Sequence, residues 1–459
     1  WFGNAVTGPN ERQIWLKEAF ASYAEALFYE KFSGQAKYYE HLRGYWDATL
    51  RRLRWEEGLF ALDDIPLEHT YGIATYRRGP VIVHNLRHQL GDSLFFLWLR
   101  AYQHRFRHQV ANTDSLLQVL LDSTADAAAG VFFTDWVRQP GEVHFRIDSV
   151  RQDPLHPDTF LVYWRMRLRD KPAYFAPTRL TVYFQGATPA EQVSRQFFTD
   201  GTMQGVARVQ VPFVPGFAIL NPNGELADAS IHGQRLYRGN VNYNFPYVYL
   251  SLRTIGLSST DSLWVHVALN YVGAYDAGGL PLSTTRYWQI DGVWTKSLAM
   301  RGIFQYNGTG SGVGAYMDTT WLNFREDSLA LYWRPHAGAS WQEWPHYQLD
   351  AGTSMTDYRG RIIADSLLPG EYALGRKMGS TPLIFVSASA NPWLVATESR
   401  QLRLKYNGSG FGTYEVCDVM GRVWGHGTLR AGEEVQYELP GGIYAIRTSH
   451  GVRKVWIWR

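Results

Sequence analysis

From the first residues to about position 140, apolar side chains recur with the period of a helix. In the run WLKEAFASYAEALFYEKF, Leu16, Phe20, Tyr23 and Leu27 fall at i, i+4, i+7 and i+11, on one stripe. QAKYYEHLRGYWDATLRRLRW predicts a second amphipathic helix, and GPVIVHNLRHQLGD a third, with Pro80 tolerated in its first turn. NTDSLLQVLLDS predicts a fourth, with Asn112, Thr113 and Asp114 as cap candidates. AGVFFTDWVRQPG predicts a short fifth, stopped by Pro140 and Gly141.

Beyond residue 145 the period drops to two. DTFLVYWRMRLRD, TRLTVYFQG and ARVQVPFVPGFAILNPNGE read as antiparallel strands separated by Pro, Gly, Asn and Asp, and the pattern continues to the C-terminus. Short strands at this spacing predict β-sandwiches rather than parallel sheets. Divisions after LNPNGELADAS and before TPLIFVSASANPW give four expected modules: helical residues 1–144, then β modules at 145–230, 231–382 and 383–459. The fold class is therefore multidomain α+β.

Composition sharpens this picture in three places. The 43 Gly and 20 Pro among 459 residues fit the turn-rich β reading. A formal net charge of +3, with basic residues scattered, leaves no electrostatic footprint for nucleic acid. The single cysteine, Cys417, excludes an intrachain disulfide. No apolar run approaches the about 20 residues that span a bilayer as a helix.

Glu18 lies opposite the Leu16, Phe20, Tyr23 and Leu27 stripe, which by itself reads as a solvated carboxylate. The words around it carry a second reading. WFGNAVT followed by WLKEAFASYAE resembles the gluzincin aminopeptidases, the aminopeptidase N-like zinc metallopeptidases. In that family a His-Glu-x-x-His helix leads into Trp-Phe-Gly-Asn-x-Val-Thr, and then into Trp-Leu-Asn-Glu-Gly-Phe-Ala. The family's spacing, counted back from Glu18, puts the second histidine two residues before Trp1. The resemblance thus implies a C-terminal fragment beginning just after the zinc helix, with Glu18 as the third zinc ligand. It implies one Zn2+ in the full-length enzyme and an incomplete, α-helical thermolysin-like catalytic subdomain ahead of the β-sandwiches. Lys17 and Ala19 stand where the family usually has Asn and Gly.

That ligand set is chemically coherent. Catalytic zinc takes three protein ligands and keeps one position for water. Two histidines one turn apart and a carboxylate from the next helix meet that need, and the glutamate between the histidines serves as general base. A second anchor, YGIATYRRGPVIVHNLRHQLGD, resembles the family's Tyr-x-Lys-Gly segment and the helix after it. The family's catalytic tyrosine then falls on Tyr76, with Arg78 in place of Lys before Gly79; Tyr71 is the weaker competitor. The Tyr76 hydroxyl would donate to the oxygen that gains charge as water attacks a peptide carbonyl. FFTDWV resembles a packing signature near the end of the family's catalytic domain, where Phe132, Phe133 and Trp136 would be core residues.

Other features carry less. His84 with His88, and His104 with His108, have the i, i+4 spacing of a helical zinc pair, but neither pair encloses the expected glutamate. Solvated or partly buried histidines are the plainer reading. GTGSGVGAY opens no helix and reads as a hairpin rather than a phosphate loop. PNGELADAS and the strands before it resemble the sandwich that follows the catalytic domain in this family, while the aromatics of the 231–382 module read as core, with glycan binding a weaker idea.

The tail resembles a type A C-terminal sorting domain of the type IX secretion system. Asn391-Pro392, the hairpin from Asp418 to Arg422, Gly442-Ile443-Tyr444 and a basic-apolar last strand carry that likeness. It implies secretion, or display on the surface of a Gram-negative bacterium, with the type IX machinery as partner. The leading expectation is therefore a secreted zinc aminopeptidase acting on peptide substrates, in a piece that lacks two histidine ligands and the general base. The rival is a surface-displayed inactive homologue that binds or scaffolds.

Overall fold

The computed structural model describes residues 2–294, 297–352, 354–377, 393–398, 401–409, 411–418, 421–448 and 451–457. Trp1, Asn391-Pro392 and the expected boundary at residue 383 lie outside them. The chain forms two compact units, residues 1–375 and 376–459.

The first unit begins with helices. A four-residue turn, α1 (Phe2–Ala5), precedes α2 (Trp15–Ser33) and α3 (Gln35–Glu56). A π-helical turn, Ala74–Arg78, runs straight into α4 (Gly79–Leu90). Three more follow: α5 (Asp92–Arg105), α6 (Thr113–Thr124) and α7 (Ala127–Val137). The expected stripe on α2 is inside, with Leu16, Phe20 and Tyr23 buried and Leu27 partly so. Trp15, Ala19, Ser22 and Ala26 are buried as well, so α2 packs on two faces.

Asn112 caps α6: its side chain accepts from the Ser115 amide at 2.8 Å, and the Ser115 hydroxyl completes a capping box. The helix α5 is absent from the sequence reading. Phe95, Trp98, Leu99 and Tyr102 carry its i, i+3, i+4, i+7 signal, which Gly91 and Asp92, reading as the end of the preceding helix, mask.

Antiparallel sheets follow. Strands Glu142–Asp153, His156–Arg169 and Gln204–Gln210 form one three-stranded sheet, and Gln192–Phe198, Arg179–Gln185 and Phe217–Leu220 another. Alternate residues of both, Phe160 and Val162 with Leu180, Val182 and Phe184 among them, enter the core. Residues 230–376 build a five-stranded and a six-stranded sheet. One continuous core joins the helices to both pairs of sheets. GTGSGVGAY forms a loop held by Asn307, whose amide donates to the Ser311 and Val313 carbonyls at 2.9 Å each.

The second unit has its own core, drawn from a three-stranded and a four-stranded antiparallel sheet. Leu402, Leu404 and Tyr406 face it from one sheet, Tyr414, Val416 and Ile446 from the other. Asp418 organises a hairpin by accepting from the Arg422 amide at 3.0 Å and from the Trp424 indole at 3.2 Å.

Candidate active site

Glu18 sits in the first turn of α2, where the helix dipole favours an anion. Its side chain is 28% exposed, and the nearest cation is Lys17, with Nζ 3.9 Å away. Tyr76 sits in the π-helical turn and is half-buried. The two side chains meet. Burial, followed by the charge of Glu18 and a hydrogen bond to it, pushes the Tyr76 phenol above its usual range; Tyr71 adds to this. A phenol so held keeps its proton and remains a donor. Tyr71 itself is 61% exposed.

Three contacts fix this meeting, and sequence reasoning found none of them. A methyl group on Gly79 would stand 2.6 Å from the Ala19 methyl, so α2 and the start of α4 approach as closely as these two small residues allow. Glu57, just past the end of α3, accepts from the backbone amides of Ile73 and Ala74, which holds the turn from its N-terminal side. Arg78, wholly buried, holds the other side. Its Nε donates to Glu142 at 2.9 Å, and its Nη2 to the carbonyls of Gln139 and Gly141 at 3.1 and 3.2 Å. Tyr76 is thus set between two anchored residues, in one of the π-helical turns that often mark functional sites.

A buried relay stiffens the same corner. Tyr23 and Tyr38 hydroxyls lie 2.8 Å apart, Tyr38 lies 2.7 Å from His84 Nδ1, and His84 Nε2 lies 2.8 Å from the Gly224 carbonyl. Burial pushes His84 down to about 4, so its neutral ring donates from Nε2 and accepts the Tyr38 proton at Nδ1. His88 reaches a different carbonyl, that of Arg179, at 3.0 Å. The two rings are therefore spent on backbone rather than poised over a common metal. His104 and His108 are exposed. Among the described residues no group of three His, Cys, Asp or Glu side chains is placed to hold a metal.

A half-buried carboxylate and a phenol thus converge where α2 meets the turn that leads into α4. Residues 1–136 match the Peptidase family M1 domain. Human aminopeptidase B is 29% identical over 162 residues, covering 31% of this chain and 24% of the relative. The puromycin-sensitive aminopeptidase of Caenorhabditis elegans is 29% identical over 158 residues, or 33% of this chain and 16% of its own. A crystal structure of an M1 zinc metallopeptidase from Deinococcus radiodurans is 27% identical over 30% of each chain, with a TM-score of 0.27. The chain thus spans a quarter or less of the length of these curated relatives.

Proposed function

We propose that residues 1–136 are part of the catalytic domain of a zinc aminopeptidase, in which Glu18 is a zinc ligand and Tyr76 a catalytic residue. The observation that carries this reading is the convergence of the Glu18 carboxylate and the Tyr76 hydroxyl in a half-buried, pinned corner. Glu18 suits a metal: it is a carboxylate whose nearest cation is 3.9 Å away and whose partner Tyr76 is a neutral hydroxyl. One carboxylate does not hold zinc alone. The reading requires two histidines and a general-base glutamate, which the family pattern supplies on a His-Glu-x-x-His helix leading into Trp-Phe-Gly-Asn. Zinc, when bound, supplies a water of lowered pKa and a positive charge near the carbonyl.

The part played by this chain's own residues follows from their geometry. Glu18 holds its carboxylate toward the site from the first turn of a helix whose position the Ala19–Gly79 contact sets. Tyr76 offers a proton to an oxygen that gains charge, a kind of contact worth roughly 100-fold to 1000-fold in rate. Peptides with a free N-terminus are the substrate class. We propose further that the second unit is the type IX sorting domain, and that the protein is secreted or displayed at the cell surface.

The test uses the natural gene product and an aminoacyl-anilide. Tyr76→Phe is expected to lower kcat at least about 100-fold while the zinc content measured by atomic absorption stays near one per chain. Glu18→Gln is expected to lose the zinc itself. Full activity in both variants would refute the assignment.

A further inference from the structure

In the π-helical turn, Thr75 and Arg78 are buried, whereas Tyr76 and Arg77 face outward. Arg77, the residue after Tyr76, reaches a cavity of about 460 Å³ that it lines together with Tyr29 of α2, Tyr247 and side chains of α3; Glu18 and Tyr76 lie outside its lining. The volume suits a few amino-acid residues.

The charges of this cavity are uneven. Four basic side chains line it: Lys37, Arg51, Arg52 and Arg77. Three of them are matched, Lys37 with Glu40 at 3.1 Å, Arg51 with Asp47 at 2.6 Å and Arg52 with Glu56 at 2.7 Å. Arg77 lies instead over the Tyr45 ring, 4.6 Å from its centre, and no carboxylate among the described residues is ion-paired with it. The nearby Glu25 is engaged elsewhere, accepting from the Tyr45 hydroxyl at 2.8 Å with His41 at 3.6 Å. This exposed guanidinium, resting on the Tyr45 ring and hydrogen-bonded to its hydroxyl, has further N–H groups to offer a carboxylate.

Distance links the cavity to the proposed chemistry. Glu18, Glu25 and Tyr29 lie on one face of α2, at i, i+7 and i+11. Seven residues of helix rise about 10 Å from Glu18 to Glu25, the span of about three extended peptide residues. A substrate cleaved beside Glu18 and Tyr76 and running along α2 would bring its third or fourth residue to Arg77.

We propose that Arg77 binds a substrate carboxylate two to three residues beyond the scissile bond, making the site selective for short peptides or for peptides acidic at that position. This rests on the peptidase reading above. The test compares, on the natural gene product, a tetrapeptide with a free C-terminus, its C-terminal amide, and an amide with Asp at the third residue. We expect kcat/KM for the acid to exceed that for the plain amide about tenfold, through KM. That ratio should fall to about one in Arg77→Gln and stay well above one in Arg77→Lys. Rescue by the Asp-containing amide identifies a side chain as the source of the carboxylate; its failure identifies the C-terminus. A ratio near one in the wild type, or a ratio unaltered by Arg77→Gln, overturns the proposal. Calorimetric binding of the acid and the amide to the metal-free protein reads the same preference without turnover. A wild type inert toward aminoacyl-anilides yet preferring the acid in calorimetry would refute the peptidase reading, and with it the placement relative to a scissile bond, while leaving Arg77 as a carboxylate-binding residue.

Discussion

The β sheets of residues 230–375 and the helical corner around Tyr76 both contain arginines that matter, and they use them in opposite ways. Arg286 is sealed from solvent with Asp318: Nε donates at 2.8 Å and Nη2 at 2.9 Å to its two oxygens, while the Trp288 ring lies 4.2 Å beneath. Arg334 is sealed with Glu371, its Nε at 2.6 Å, over Trp341. In the corner, Arg78 behaves likewise, but its neighbour Arg77 has no carboxylate partner among the described residues, and Glu18 has a distant lysine and the neutral Tyr76 hydroxyl. A buried charge that lacks partners costs several kcal/mol, so interiors saturate their charges. An open charge at a surface cavity costs little and stays available to a ligand. The same residue type is therefore sealed in the interior or left open to a ligand according to how completely its partners are supplied.

The contrast can be broken hardest by acid. His84, His144 and His266 are buried in the first unit, and burial pushes each down to about 4. In the unfolded chain these rings take protons near 6.5, so acid favours unfolding: their contribution is whole above pH 6.5 and is lost as pH falls toward 4. Asp228 works against them. Burial holds its carboxyl up to about 7, so its contribution is present at low pH and lost as pH rises through 7. His88 and His232, pushed down to about 3, add to the histidines, and Asp291, held up to about 7, adds to Asp228; at about 1.4 kcal/mol per pKa unit, five histidines against two aspartates leave the first unit weaker by about 5 kcal/mol at pH 5 than at pH 7. Urea unfolding followed by tryptophan fluorescence at the two pH values measures this. Equal stabilities would mean that the saturated interior is not what acid attacks.

A substitution tests the same contrast residue by residue. Asp318→Ala leaves Arg286 buried without its counter-charge and should cost about 3 kcal/mol in urea unfolding. Glu18→Ala, at a half-buried carboxylate paired with a neutral hydroxyl and no close cation, should change stability by less than about 1 kcal/mol while removing zinc from the natural gene product. If the two variants unfold alike, the distinction between sealed and open charges is wrong.

What the sequence made legible follows the same division. The stripe of Leu16, Phe20 and Tyr23 and the cap at Asn112 are local patterns, and they appear as read. The alternation around Phe160 and Val162 gave the antiparallel sheets for the same reason. Glu18 could not be told from a solvated carboxylate by its helix alone, and its second reading came only from the resemblance of the words around it. Glu57, the Ala19–Gly79 contact and the cavity at Arg77 were out of reach, because each depends on chain segments brought together only by folding. The pairing of Arg286 with Asp318 spans 32 positions, with no periodicity to announce it.

The smallest effect is the most specific to the corner. Gly79→Ala would place a methyl 2.6 Å from that of Ala19, a distance the two helices can relieve only by moving apart. Tyr76 is three residues before Gly79 and Glu18 is beside Ala19, so that movement separates the two site groups directly. Overpacking of this kind costs about 1 to 3 kcal/mol, and a shift of a few tenths of an ångström at a donor should lower kcat about tenfold in the natural gene product. Ala19→Gly in the same chain removes the opposing methyl, and the double variant should regain most of both losses. Recovery of stability without recovery of kcat would show that the contact packs the helices without setting the approach of Tyr76 to Glu18. Recovery of neither would show that Gly79 is needed for something other than the space Ala19 leaves it.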